Sequence, residues 1–461
     1  LLVSVADYLS GTGRLDTGPL PNVTLDKALA GDGRYWLNPI NLSTSQGPPV
    51  GGPKTKSFAR DEDGVYYVSP DQLNLYNTIG TYLKQGATAF YAKCTPKDEP
   101  IKPGKVPRLF SVLGAAANLW MKQACSAVKI MMRAHLEHFE STVGIDMSSR
   151  DCARVIRHLA SVDPDLKHLL ERDAKSFDKS WNPEFWDAVA WVVTILARHA
   201  GVDCDLAHNC VVGLKHCRYD IKGDVFTSYW NPSGHDATVE WNGIFMSIAH
   251  RYEFYRAHPD LVAANLDVIP ELFDAFSGKD MRLLYRSVMP FRLSRALVHY
   301  GDDSLMNVAE YCPEEFVYDV WLHELGVQML DAKTKSALAD AKPLAEVSFL
   351  KRAFVWDEDL DSYRCPIEKK TLARMLAMKK DSTLSRWDHA CVAIANVMRE
   401  AVLHGEEFYN SLYPKVCSFG VENDLIGNKY WDVPTYEVRR GELKDGKFSS
   451  WTSASALLAR E

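Results

Sequence analysis

The chain has 461 residues, 46% of them apolar and 11% aromatic, which is enough to bury a large core and form two or three subdomains. No stretch approaches the roughly 18 apolar residues that a membrane helix needs. Ten cysteines scattered without regular spacing exclude a disulfide framework and fit a reducing, cytosolic compartment. The net charge of −7, from 53 basic and 60 acidic residues, speaks weakly against nucleic-acid binding as a total, but the charge is unevenly distributed.

The start, Leu1-Leu2-Val3-Ser4, has no basic segment ahead of an apolar one and does not read as a signal peptide; a processed polyprotein product would begin this way. Residues 1–110 are rich in Gly, Pro, Ser and Asn, and Ser43 to Pro53 reads as a loop. From Lys84 to Arg133 nine basic residues (Lys84, Lys93, Lys97, Lys102, Lys105, Arg108, Lys122, Lys129, Arg133) face only Asp98 and Glu99, a locally positive segment. Apolar spacing through Leu119, Met121, Ala124, Val128, Met131, Met132 and Leu136 predicts one long helix from Ala115 to Phe139.

Leu169-Leu170-Glu171-Arg172-Asp173 predicts a short strand ending in a carboxylate. A helix follows, opening at Asn182-Pro183-Glu184 and closing near Gly201. Its apolar run, Ala188 to Ala197, reads as core. A second helix is expected after Ser233-Gly234, through Asn242 to about Arg256. Pro259-Asp260-Leu261 and Pro270-Glu271-Leu272 look like further helix starts. Leu297 to Tyr300 and Ser304 to Val308 read as two strands around the turn Gly301-Asp302-Asp303. From about Trp356 the pattern is helical, with Leu372, Met375, Leu376, Trp387, Cys391, Ile394, Val397 and Met398 at core-facing spacing.

Two acidic constellations carry chemistry. Asp173-x4-Asp178 sits at a strand end, and Tyr300-Gly301-Asp302-Asp303 at a hairpin tip. Alone, each is as well explained by a solvated turn. Together they supply hard oxygen ligands from separate strands, the donor type that Mg²⁺ prefers and that phosphoryl transfer uses. Cys204, His208, Cys210, His216 and Cys217 are zinc-ligand types, but their spacing lacks the Cys-x2-Cys form, and buried thiols with ordinary histidines are the default reading.

The series of motifs resembles the picornavirus-like RNA-dependent RNA polymerases. Asp173-Ala174-Lys175-Ser176-Phe177-Asp178 is similar to their motif A, Ser233-Gly234-x3-Thr238-x3-Asn242 to motif B, and Tyr300-Gly301-Asp302-Asp303 to motif C. Gly326-Val327-Gln328-Met329 resembles motif D and Phe349-Leu350-Lys351-Arg352 motif E. Lys97-Asp98-Glu99 through Gly104-Lys105 to Arg108 resembles motif F, and Leu42-Ser43-Thr44-Ser45-Gln46-Gly47 an N-terminal fingers segment. All stand in the family's unpermuted order across residues 42 to 352.

The resemblance implies an α/β (α+β) right-hand polymerase, with fingers, a palm built on an antiparallel sheet with flanking helices, and a helical thumb. Its boundaries would be fingers 1–130 and 211–232, palm 131–210 and 233–355, and thumb 356–461. It implies Mg²⁺, with Mn²⁺ as an alternative, on Asp173 and Asp302 with Asp303 as a secondary ligand. Lys105 and Arg108 would hold the triphosphate, while Asp178, Ser233, Thr238 and Asn242 would select the ribose 2′-hydroxyl. Lys333 and Lys335 are both candidates for the proton donor to pyrophosphate, Lys335 preferred because Lys335-Ser336 mirrors the family's Lys-Ser pair. Lys351 and Arg352 would contact primer phosphates. Implied partners are template and primer RNA, ribonucleoside triphosphates, a genome-linked protein primer and other viral replication proteins on host cytoplasmic membranes. A reverse transcriptase is the rival enzyme, and a non-catalytic RNA-binding protein the rival from another class.

Overall fold

The computed structural model describes residues 1–447 apart from 19, 33–36, 43, 88–89, 98, 100, 102, 105, 311–318, 337–339 and 379–383. The expected roles of Ser43, Asp98, Lys102 and Lys105 therefore lie outside the described residues. By packing, the chain divides into two compact units. The first comprises Leu1–Val143, Arg172–Ser304 and Tyr311–Ala339, and the second Gly144–Glu171, Leu305–Glu310 and Asp340–Glu461.

At the centre of the first unit lies the helix Thr238–Ala257, 15 of whose 20 residues are buried, so its polar side chains must find partners inside the protein. They do. Arg251 donates to Asp7 at 2.7 Å and to both carboxylate oxygens of Glu140, and Glu240 accepts from Arg133. Asp7 belongs to the N-terminal helix Leu2–Leu9, buried on nearly every side, which accounts for the apolar start of the chain. The helix Pro183–His199 packs against the central helix, and the helices Ala115–Ala134 and Cys204–Lys215 pack on Pro183–His199 in turn. Asn182 caps the first of these, its side chain accepting from the Phe185 N–H at 2.9 Å, and Pro183 occupies the first turn, as the sequence predicts.

The expected single helix from Ala115 to Phe139 is broken. It ends at Ala134, His135 leaves helical geometry, and a short turn Leu136–Phe139 follows. The break lets the next residues run alongside the strand Arg295–Tyr300, where Ser141 bridges His299. Lys122 and Lys129 also turn inward. Lys122 donates to the Ala28 carbonyl, and Lys129 pairs with Asp236. Part of the basic segment is therefore internal structure.

Two four-stranded sheets frame the functional residues. One has the order Leu109–Leu113, Tyr91–Pro96, Arg218–Ile221, Asp224–Thr227, antiparallel except for the parallel pairing of the middle two strands. The other has the order Gln328–Asp331, Leu169–Lys175, Asp303–Val308, Arg295–Tyr300. Between helix and hairpin, residues 259–294 form four short helices, Pro259–Ala263, Val268–Ser277, Arg282–Tyr285 and Pro290–Ser294; the second begins two residues ahead of the expected Pro270.

The second unit begins its C-terminal part with two hairpins, Ser348–Phe349 with Arg352–Ala353 and Val355–Asp357 with Ser362–Arg364. The expected helical tail thus starts with a strand pair, turned at Asp361 in the left-handed region (φ 44°). Helices Lys369–Ala377, Arg386–Ala401, Glu406–Glu422 and Tyr436–Lys444 follow, around a core that includes Ile394, Met398, Val402 and Tyr409. Among the described residues no helix is long and apolar enough to cross a membrane.

Candidate active site

Alternation along the strand Leu169–Lys175 sends successive side chains to opposite faces. Arg172 is buried and donates to Glu253 of the central helix at 2.9 Å, so its neighbour Asp173 points the other way and remains half-buried. Leu330 lies opposite Asp173 on the neighbouring strand. Ser176 then adopts a left-handed conformation (φ 55°), which ends the strand and starts the single turn Phe177–Lys179. Phe177 packs on Phe245, ring centroids 4.8 Å apart, and the turn carries Asp178 inward.

Strand Asp303–Val308 adjoins the Asp173 strand in the sheet, which brings the second acidic motif to the first. The hairpin turns at Gly301 (φ 65°), a conformation that disfavours residues bearing a Cβ. A Cβ built there would lie 4.0 Å from that of Asn242, so the tip lies against the central helix. Behind the tip, His299 is pinned on both sides of its backbone: its N–H donates to the Glu140 carbonyl, and its carbonyl accepts from Thr142 N–H and Oγ1. Burial pushes the Asp302 carboxyl up to about 7, reinforced by the negative charges of Asp303, Asp178 and Asp173. Three carboxylates therefore act on that of Asp302.

Asp178 accepts from Asn242 Nδ2 at 2.9 Å, joining residues 64 positions apart. Burial raises the Asp178 carboxyl, while that hydrogen bond and the charges of Lys97 and Arg108 oppose the rise. Asn242 Oδ1 accepts from Trp181 Nε1 at 3.2 Å and from Asn231 Nδ2 at 2.8 Å. Ser233 Oγ accepts from the Ser111 N–H at 3.2 Å, and Thr238 Oγ1 donates to the His235 carbonyl at 2.9 Å. The structure thus brings Asp178 and Asn242 together, and ties Ser233 and Thr238 into the loop ahead of the helix.

Of the basic residues, Arg108 donates from Nε and Nη2 to the two oxygens of Glu99, with Lys97 Nζ 3.8 Å from the same carboxylate. Arg108 lies within Coulombic reach of Asp302 and Asp178. Lys97 received no role from the sequence, although it opens the motif F stretch. Asp331 caps the turn after Gln328–Asp331, accepting from the N–H groups of Lys333 and Thr334. That turn holds Lys335 in a left-handed conformation (φ 59°), and its ammonium is ion-paired to Asp173. Among the described residues no three His, Cys, Asp or Glu side chains are already grouped as an ion-binding set.

In the second unit, Leu350 and Lys351 form a tight left-handed turn between short strands, with Lys351 exposed. Arg352 donates to both oxygens of Glu400, at 2.8 and 2.7 Å, and to the Cys365 carbonyl, so its guanidinium is held within the fold. The zinc-type cluster disperses. Burial pushes the Cys217 thiol up to about 12 and the Cys210 thiol well above its ordinary value, and His208 bonds Thr194 Oγ1 at 3.0 Å. Trp181, Asn231 and His235 went unrecognised in the sequence; the only local sign was that Asn231 and His235 flank Ser233-Gly234.

Residues 15–419 match the family model described as viral RNA-dependent RNA polymerase. The chain is 26% identical over 421 residues to the RNA1 polyprotein of Grapevine fanleaf virus, covering 85% of the chain and 16% of the polyprotein. It is 24% identical over 306 residues to the replicase polyprotein of Drosophila C virus, covering 63% of the chain and again 16% of the polyprotein. The structure of a Sicinivirus 3Dpol RNA dependent RNA polymerase superposes with a TM-score of 0.71 at 17% identity, over 97% of this chain and 85% of that one.

Proposed function

The chain belongs to the viral RNA-dependent RNA polymerases, and from that premise we propose that it copies an RNA template by adding ribonucleotides to an RNA 3′-end, releasing pyrophosphate. The observation that carries this reading is the sheet order that sets the Asp173 strand beside the hairpin of Asp302 and Asp303, with Asp178 on the turn that follows the first strand. Carboxylates grouped in this way suit divalent cations, and the ammonium of Lys335 is paired with Asp173. Asp173 and Asp302 would hold Mg²⁺ or Mn²⁺, with Asp303 as a secondary ligand. Such ions would lower the pKa of the 3′-hydroxyl and offset charge on the triphosphate.

This chain's own side chains do the rest. Arg108, Lys105 and Lys97 draw the triphosphate in and stabilise its charge. Asp178 accepts a hydrogen bond from the ribose 2′-hydroxyl, and the second N–H of Asn242 donates to it, so a deoxyribose leaves both unmatched. Ser233 and Thr238 shape the loop that presents them. Lys335 gives the departing pyrophosphate its proton. Lys351 contacts the primer backbone, and Arg352 anchors its turn through Glu400. Fingers, palm and thumb follow the boundaries given above. Template and primer RNA, ribonucleoside triphosphates, a genome-linked protein primer and other viral replication proteins at host membranes complete the reading.

The test is template-directed extension with Mg²⁺. Asp302→Ala should abolish synthesis while RNA binding persists; undiminished extension by that variant removes the assignment.

A further inference from the structure

The amide of Asn242 is the last link of a chain of buried hydrogen bonds whose polarity is fixed from its far end. The backbone N–H of Ala237 can only donate, and it donates to His235 Nδ1 at 3.1 Å. That nitrogen is therefore bare, and the proton of the neutral imidazole resides on Nε2. Burial, with the charge of Lys129, pushes His235 down to about 3, so the ring stays neutral in the working range. Its Nε2–H donates to Asn231 Oδ1 at 2.9 Å, which turns the Asn231 amide so that Nδ2 faces Asn242 Oδ1 at 2.8 Å. The Trp181 indole, also donor only, supplies a second hydrogen bond to the same oxygen. With its oxygen doubly occupied, Asn242 has one orientation left, Nδ2 toward Asp178.

Every member is enclosed: Asn231 is 2% exposed, His235 6% and Asn242 5%. Water cannot replace a lost partner at such sites, and an inverted amide would set oxygen against carboxylate.

We propose that Asn231 and His235 are positioning residues for sugar selection, which orient the Asn242 amide through a one-way hydrogen-bond relay so that Asp178 faces the ribose as an acceptor. The inference rests on the polymerase reading above and extends its selectivity network by two side chains that do not touch the nucleotide.

Asn231→Asp tests it with almost no change of shape. The carboxylate still accepts from His235 but sets an oxygen against Asn242 Oδ1, and flipping Asn242 only moves the conflict to Trp181 and Asp178. The readout is the ratio of kcat/KM for a ribonucleotide to that for its 2′-deoxy analogue, with thermal melting of each variant. The ratio should fall about tenfold or more, the scale on which an unmatched buried polar site loses discrimination. His235→Gln, which keeps a donor near the Nε2 position, should hold the ratio near the wild-type value, and His235→Leu should lower it. If Asn231→Asp does not fold, the two His235 variants decide the matter. An unchanged ratio in Asn231→Asp or His235→Leu, with Asn242→Ala lowering it, overturns the relay and leaves the polymerase reading intact. Equal losses for both sugars assign these residues to scaffolding and also overturn it. A wild-type protein that makes no RNA overturns both.

Discussion

Replacing Gly243 by alanine would drive a methyl group into His299. A Cβ built at Gly243 lies 2.2 Å from His299 Cε1 and 2.6 Å from Nδ1, where ordinary contact begins at 3.4 Å, so the ring or the helix must retreat by about 1.2 Å. Neither can do so cheaply. The His299 backbone is bonded to Glu140 and Thr142, its side chain is fully buried, and Gly243 sits in a helix enclosed along most of its length. Overpacking of this kind costs about 1–3 kcal/mol, and the pinned backbones put Gly243→Ala at the upper end. Function should suffer more than stability. Asn242 adjoins Gly243 and Asp302 lies three residues past His299, so the clash displaces the selectivity helix against the acidic hairpin. A shift of ~1 Å at reacting groups is worth about 10²-fold in rate. Single-turnover extension and thermal melting should show both losses, and His299→Ala in the same chain should restore much of each. Wild-type rate and stability in Gly243→Ala alone would refute the reasoning.

Asp302 links metal affinity to pH. Its carboxyl is raised to about 7, so it is mostly protonated below that value and ionised above it. Divalent cations must displace that proton at lower pH: calorimetry should show affinity for Mg²⁺ falling about tenfold per unit below pH 7, with proton release, and levelling above it. Equal affinity at pH 6 and pH 8 would contradict the raised Asp302 carboxyl, and Asp302→Asn, which should weaken Mg²⁺ binding at both pH values, tests its place as a ligand. Lys335→Leu should lower single-turnover kcat by ~10²-fold or more with little change in KM, as loss of a general acid does. Lys333→Leu should have a small effect, and the reverse order would exchange their roles.

What was legible in the sequence was local. Asn182-Pro183 announces a helix because cap and first-turn residue are adjacent, and Gly301-Asp302 announces a turn because glycine alone meets its backbone without cost. The meeting of Asp173 with Asp302 was accessible only through resemblance, since it depends on sheet order, which no short window records. The relay from His235 to Asn242 was invisible for a related reason: each amide is unremarkable until the fold supplies its donor or acceptor. Charge misled in places. Lys122 and Lys129 count as basic residues but face carbonyls and Asp236. The break at His135 likewise follows from the pairing of Ser141 with a strand about 160 residues away, which outweighs the helical spacing around it.

The most direct measurement is anomalous diffraction from crystals of the protein grown with Mn²⁺ and a non-hydrolysable ribonucleoside triphosphate. Two peaks about 3.5–4 Å apart, each touching a carboxylate oxygen of Asp173 or Asp302, are expected. Manganese bound elsewhere, with both carboxylates bare, would contradict the account.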